Sequence, residues 1–426
     1  MRLTSVLFVT AVALVFAAMP APAQVLPRAR PAEVGLSNAG LERIAPALQA
    51  WVDSGKVAGV IAAVVRHGKL AFVASAGTLD PENARPVNED AVFRIFSMTK
   101  PITTVAVMQM YERGKLRLDD PVSRYIPAFG RTRVYAGGGA AHPALRDPAR
   151  PITVADLLTH TAGLTYGLFG NTPVDSIYRG AQLFNPNWTI AQFSDSLARL
   201  PLAFSPGTAW NYSLALDVLG RVVEVVSEMP FDRYLDSAVF RPLGMRCTAF
   251  HATAAMEGNI TAYYVRAEDG KLHAVSPLLS AGYTSEGRML SGGGGLLSTV
   301  TDYLRFAQML LNGGELDGHR LLTRESVTLM MQNHLPASLT PIALAPDWPP
   351  GKNGFGYGGA IRMDSAGSMP GSAGTFRWSG LGTTFFWIDP KADLIAMVWS
   401  QYIPVTDLWS LDNQFQRLVY EALLGG

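Results

Sequence analysis

The sequence has 426 residues, 48% of them hydrophobic and 16% charged, enough for a large buried core. Lys and Arg number 35 and Asp and Glu 34, a net charge of +1, so no charge imbalance points to nucleic acid or an anionic surface as partner. Cys247 is the single cysteine, which excludes an internal disulfide and a cysteine-built zinc site; it reads as a small structural residue.

Arg2 precedes an apolar run from Leu3 to Met19, and Ala21-Pro22-Ala23 supplies a small-residue cleavage pattern before Gln24. Residues 1–23 therefore read as a secretory signal peptide. The expectation is a secreted or periplasmic protein, cut near Ala23, with no membrane span in the mature chain. Leu41, Ile44, Ala45, Leu48 and Val52 then form one apolar helical stripe. Residues 57–65 and 70–75 read as two strands, with the turn Arg66-His67-Gly68-Lys69 between them.

The middle of the chain shows helical spacing at 102–113, 154–158, 190–197, 215–226 and 231–239. Residues 130–150, rich in Gly, Ala, Arg and Pro, read as a surface excursion without periodicity, and 166–188 as a loop carrying aromatics. A further helix begins near Thr299, which has capping-box spacing to Asp302, and stops at Asn312-Gly313-Gly314. Strand-like runs follow at 375–379, 383–388 and 394–400, with connections short enough for an antiparallel meander. A last helix carries Phe415, Leu418, Val419, Ala422 and Leu423 and ends at Gly425-Gly426.

Strands at both ends flanking a helical middle imply an α+β fold: one antiparallel sheet flanked by helices, with an inserted mainly α-helical domain. The expected boundaries are 24–115 and 286–426 for the sheet domain and 116–285 for the helical one. The active site would lie between them.

Ser97 and Lys100 stand three residues apart at the start of the predicted 102–113 helix, in Ile95-Phe96-Ser97-Met98-Thr99-Lys100. That spacing puts both on one helix face. A serine hydroxyl is a weak nucleophile without a base beside it. A lysine can be that base only where desolvation disfavours its charged form, and Phe93, Ile95, Phe96 and Met98 supply apolar surroundings. The alternative for the pair alone is a capping serine and a solvated lysine. Two more elements bear on it. Tyr212, in Trp210-Asn211-Tyr212-Ser213-Leu214, could carry a proton across a cleft. The run from Phe376 to Thr383, through Trp378-Ser379-Gly380-Leu381-Gly382, could present a backbone N–H to an oxyanion.

Together these elements resemble the serine β-lactamase and penicillin-binding superfamily, most closely the class C β-lactamase-like carboxylesterases known as family VIII esterases. Ser97-Met98-Thr99-Lys100 matches S-x-x-K, Tyr212-Ser213-Leu214 the Y-x-N position, and Trp378-Ser379-Gly380 the K-T-G-like position. Segments 157–164, 242–245 and 292–299 also look like family segments, in the expected order from about Gly35 to the C-terminus. The resemblance implies that Ser97 is acylated, that Lys100 and Tyr212 share the base role, and that the N–H groups of Ser97 and Leu381 form the oxyanion hole.

Leu214 replaces the family's asparagine and Trp378 its cation, which suits an uncharged, apolar acyl group better than a β-lactam. Ester hydrolysis through an acyl-serine is therefore expected, with Trp378 stacking on substrate; Tyr166, Tyr178, Phe184 and Trp188 are candidate pocket residues or, alternatively, a hydrophobic loop packed on the helical domain. A β-lactamase or D-amino-acid peptidase using the same serine is the alternative, and a non-catalytic binder of cell-wall ligands a second. The small-molecule substrate is an ester, or else a lactam or peptide. No G-x-S-x-G or H-E-x-x-H occurs, so no cofactor or metal is expected. His160 is taken as structural, Gly292–Gly295 as permitting close backbone packing. No oligomeric state is assigned.

Overall fold

A computed structural model describes residues 25–80, 84–185, 187–274, 289–344, 352–365, 369–403 and 409–424. The expected signal peptide and the closing Gly425-Gly426 lie outside the described residues.

Both chain ends build one eight-stranded antiparallel sheet. In spatial order its strands are Asn353–Phe355, Ala360–Arg362, Phe376–Gly380, Thr384–Asp389, Leu394–Ser400, Gly59–Arg66, Lys69–Asp80 and Arg85–Pro86. The N-terminal hairpin joins the C-terminal meander along Gly59–Arg66, where Val60 opposes Ser400 and Arg66 opposes Leu394.

The two-residue period of a strand decides which helix each side chain meets. Phe385 and Trp387 reach the C-terminal helix Trp409–Glu421, with ring centroids 5.6 Å from Trp409 and 5.4 Å from Phe415. Phe386, between them, points the other way and meets Tyr303 at 5.2 Å. Tyr303 belongs to the helix Val300–Leu311. Helices thus cover both faces of the sheet, and the strand Thr384–Asp389 is buried at every position.

Thr299 caps the Val300–Leu311 helix by accepting from the Asp302 N–H at 3.1 Å. The Asp302 carboxylate does not return that bond. It accepts instead from the Cys247 N–H at 2.7 Å and Thr248 Oγ1 at 2.9 Å, so the expected capping box is only half formed. Burial pushes the Cys247 thiol up to about 11, which keeps it unreactive.

Between the sheet segments run the helices Val154–Leu158, Ile190–Leu197, Ala215–Ser227 and Phe231–Leu235. Two expectations for this region are corrected. Residues 130–150 contain a β-hairpin, Val134–Gly139 paired with His142–Arg146. Its strands are mostly exposed and include the run Gly137-Gly138-Gly139, so no alternation advertised them. Residues 166–188 contain the helix Pro173–Gly180, started by a Thr172/Asp175 capping box with proline at its first position. Among the described residues no helix is long and apolar enough to cross a membrane.

Candidate active site

Ser97 sits in the single 3-10 turn Phe96–Met98, immediately before the α-helix Thr99–Glu112. Every residue of that helix from Thr99 to Met110 is buried, so it runs through the interior rather than presenting one apolar stripe. Tyr303 Oη donates to the Met98 carbonyl at 2.8 Å, and the Leu296 N–H donates to Thr99 Oγ1 at 3.2 Å. These bonds tie the turn to its surroundings. Phe96 has φ +43°, a left-handed conformation that costs a side-chain-bearing residue about 1–3 kcal/mol. Strain of that kind directly before a candidate nucleophile fits a turn shaped to hold one atom in place.

The structure brings Ser97, Lys100 and Tyr212 together. Ser97 Oγ accepts from Tyr212 Oη at 2.6 Å and from Lys100 Nζ at 3.1 Å. Lys100 is fully buried, and its Nζ also donates to Tyr166 Oη at 2.9 Å and to the Gly293 carbonyl at 2.6 Å. Nζ lies 4.7 Å from the centroid of the Tyr212 ring, close enough for a cation–π contact. Burial, followed by the charges of Tyr212 and Asp217, holds the Tyr166 hydroxyl well above its usual range, so it stays protonated.

Sequence reasoning missed Asp217. It lies in the first turn of the Ala215–Ser227 helix and is buried against Gly293. Its carboxylate accepts from Ser291 Oγ and, at 3.1 Å, from the Gly293 N–H. Burial raises its pKa, while the nearby Lys100 charge and these hydrogen bonds oppose the rise. The available signal was an acid in the apolar run Leu214-Ala215-Leu216-Asp217-Val218-Leu219. A side chain added at Gly293 would collide with this carboxylate, so the glycine run does permit close packing.

Trp378 corrects an expectation. It is buried behind Tyr212, with ring centroids 5.3 Å apart, and packs on Phe355 at the same distance. It supports the tyrosine and is not among the described residues that line the cleft, against the expected stacking on substrate. Its orientation follows from the strand period: Arg377 on the other face pairs with Asp412 of the C-terminal helix. Gly380 lies against the Ile95 carbonyl, where an added Cβ would overlap. That closeness brings the strand end beside the Ser97 turn and puts Leu381, 36% exposed, on the cleft wall with Ser97.

His160 is fully buried, with Nδ1 accepting from the Ser213 N–H at 3.2 Å and its ring 4.8 Å from that of Tyr212. Burial, then the Lys100 charge, drives its pKa well below the ordinary value and keeps it neutral. It positions the tyrosine-bearing loop.

The cleft in front of Ser97 encloses about 300 Å³. Phe96, Leu168, Phe169, Phe184, Leu214 and Leu381 give it an apolar wall. Tyr166 lines it too, but Tyr178 and Trp188 face a neighbouring depression instead, against expectation. Among the described lining residues Asp217 is the sole charged one, and none is a lysine or arginine. Among the described residues no group of three His, Cys, Asp or Glu could hold a metal ion. The arrangement can deliver a serine oxygen to an uncharged electrophile and move a proton through Tyr212 and Lys100.

A family model described as beta-lactamase matches residues 42–421. Protein Rv1367c of Mycobacterium tuberculosis (strain ATCC 25618 / H37Rv) is 35% identical over 360 residues, covering 83% of this chain and 88% of that protein. Esterase EstB of Burkholderia gladioli is 32% identical over 361 residues, covering 80% and 86%. Among solved structures, EstCE1, described as a hydrolase with promiscuous acyltransferase activity, superposes with a TM-score of 0.74 at 27% identity. It covers 91% of this chain and 99% of its own.

Proposed function

This chain belongs to the beta-lactamase family, and from that premise we propose that it is a serine carboxylesterase with Ser97 as its nucleophile. Its relatives include a named esterase, and an acyl-serine intermediate is typical of the family. Ser97 Oγ attacks the ester carbonyl while its proton passes to the Tyr212–Lys100 pair. The carbonyl oxygen gains negative charge against the N–H groups of Ser97 and Leu381. The C–O bond to the alcohol breaks, and the alcohol leaves with the proton held by the pair. Water then attacks the acyl-serine, gives its proton to the same pair, and releases the acid as Ser97 regains its hydrogen.

One observation carries the preference for esters. Apart from Lys100, fully buried behind Ser97 and engaged there, no cation stands at the described cleft wall, and the one charged lining group is the acid Asp217. β-Lactams and D-amino-acid peptides bring a carboxylate that would go unpaired beside these apolar side chains, whereas a neutral ester leaves no charge unmet. Two chromogenic substrates, a p-nitrophenyl ester and a cephalosporin, run side by side test the reading. Turnover of the ester with at most a trace of the cephalosporin is expected, and the reverse order would overturn it. Covalent labelling by a fluorophosphonate excludes a non-catalytic binder.

The order of residues 1–23 supports export with cleavage near Ala23. N-terminal sequencing of the mature protein from a bacterial host should begin at Gln24. A retained Met1 in the cell interior would refute export.

A further inference from the structure

Phe250 separates the catalytic cleft from a second, larger cavity. The cleft of about 300 Å³ and a cavity of about 620 Å³ share this one residue as a wall. The second cavity is lined by Phe240, Pro242 and Met245 and by charged side chains of both signs, among them Asp236, Arg241 and Arg246. Phe250 is 4% exposed, and its ring rests 5.5 Å from Phe231. Its backbone position is held by the neighbouring Ala249, which exchanges two hydrogen bonds with Leu297, at 3.2 and 2.8 Å. On the cleft side the ring lies against Gly295, where an added Cβ would come within 2.8 Å of it. Phe250 is thus the one described residue that lines both spaces, and its ring is held against Phe231 and Gly295.

Building on the ester reading, we propose that Phe250 is a specificity-determining residue: it limits the length of the apolar ester chain that the cleft accepts, and the cavity behind it is unused depth. The wild-type enzyme then prefers short chains. A chain too long for the cleft must either displace the ring from its contacts with Phe231 and Gly295 or leave methylenes in water, which forfeits about fourfold in binding per methylene. Truncating the ring joins the two spaces and lets a longer chain run past Gly295 into the second cavity. The apolar residues of that cavity would receive the methylenes.

The test compares wild type, Phe250→Ala and Phe250→Leu on two ester series. One lengthens the acyl group of p-nitrophenyl esters from acetate to dodecanoate; the other lengthens the alcohol of simple acetates. In one series the ratio of kcat/KM for the longest to the shortest chain should rise about tenfold or more in Phe250→Ala and less in Phe250→Leu, with turnover of the shortest ester kept. An unchanged ratio in both series, in whichever variant folds, overturns the inference. Acetate turnover by the wild type reports separately on the ester reading: its absence overturns both, and its presence with unchanged ratios overturns only the role of Phe250.

Discussion

Asp217 and Lys100 meet through one residue: Gly293 gives its N–H to the Asp217 carboxylate, and its carbonyl accepts from Lys100 Nζ. The acid thus orients the carbonyl that holds the amine beside Ser97. Asp217→Asn keeps the shape and removes the charge. Hydrogen bonds to charged groups contribute about 1.5–3 kcal/mol, so kcat should fall about tenfold to a hundredfold with KM little changed. Steady-state kinetics, with a thermal melt confirming a folded variant, read this; wild-type kcat would refute the link.

Trp378, which the sequence resemblance sets at the K-T-G-like position, is buried behind Tyr212. Introducing a cation there therefore does not create a carboxylate site. Trp378→Lys places an unpaired ammonium in a packed interior and should destabilise the fold by about 3–5 kcal/mol, without any cephalosporin turnover. A urea melt and a cephalosporin assay check both halves. A stable variant that hydrolyses the lactam would contradict the packing described.

Gly380 packs directly on the Ile95 carbonyl, one residue before the Ser97 turn. Gly380→Ala sets a Cβ against the Ile95 carbonyl and Thr384 Oγ1, and the strand end must move. If Leu381 supplies an oxyanion donor, its displacement should lower kcat about a hundredfold or more, the cost of one such donor. The accompanying stability loss should stay near about 1–3 kcal/mol. Unaltered kcat would remove Leu381 from the oxyanion hole.

Burial raises the Asp302 carboxyl from 3.8 to about 6, against the hydrogen bonds from Thr248 and Cys247. With the folded value above the unfolded one, the folded state binds the extra proton, so this contribution is complete below about pH 4 and is lost as pH rises through 6. The shift corresponds to about 3 kcal/mol. Urea melts between pH 4 and 7 should show wild-type stability falling by about that amount relative to Asp302→Asn. Parallel pH profiles for the two proteins would contradict the assignment.

Much of this architecture is legible in the chain because the turns are short and the strand runs apolar. The hairpin around His67-Gly68 and the meander broken at Gly380-Leu381-Gly382 and Asp389-Pro390-Lys391 announce themselves in that way. The hairpin Val134–Gly139/His142–Arg146 does not, because mostly exposed strands have no apolar face to alternate. The helix Pro173–Gly180 carried its signal in Thr172-Pro173 and Asp175, hidden among aromatics. Within the site, Ser97 and Lys100 share one helix start, so local spacing reveals them. Tyr212 needed the resemblance. Asp217 and Phe250 depend on which helix and loop pack beside the Ser97 turn, a tertiary fact that no local pattern carries.

The central claim is that Ser97 is the atom acylated. Its most direct test is intact-protein mass spectrometry after reaction with a p-nitrophenyl ester or fluorophosphonate, with peptide mapping of the adduct. One acyl or phosphonyl group per chain, mapped to Ser97 and missing from Ser97→Ala together with all turnover, is the predicted result. An adduct on another residue, or undiminished hydrolysis by Ser97→Ala, would contradict it.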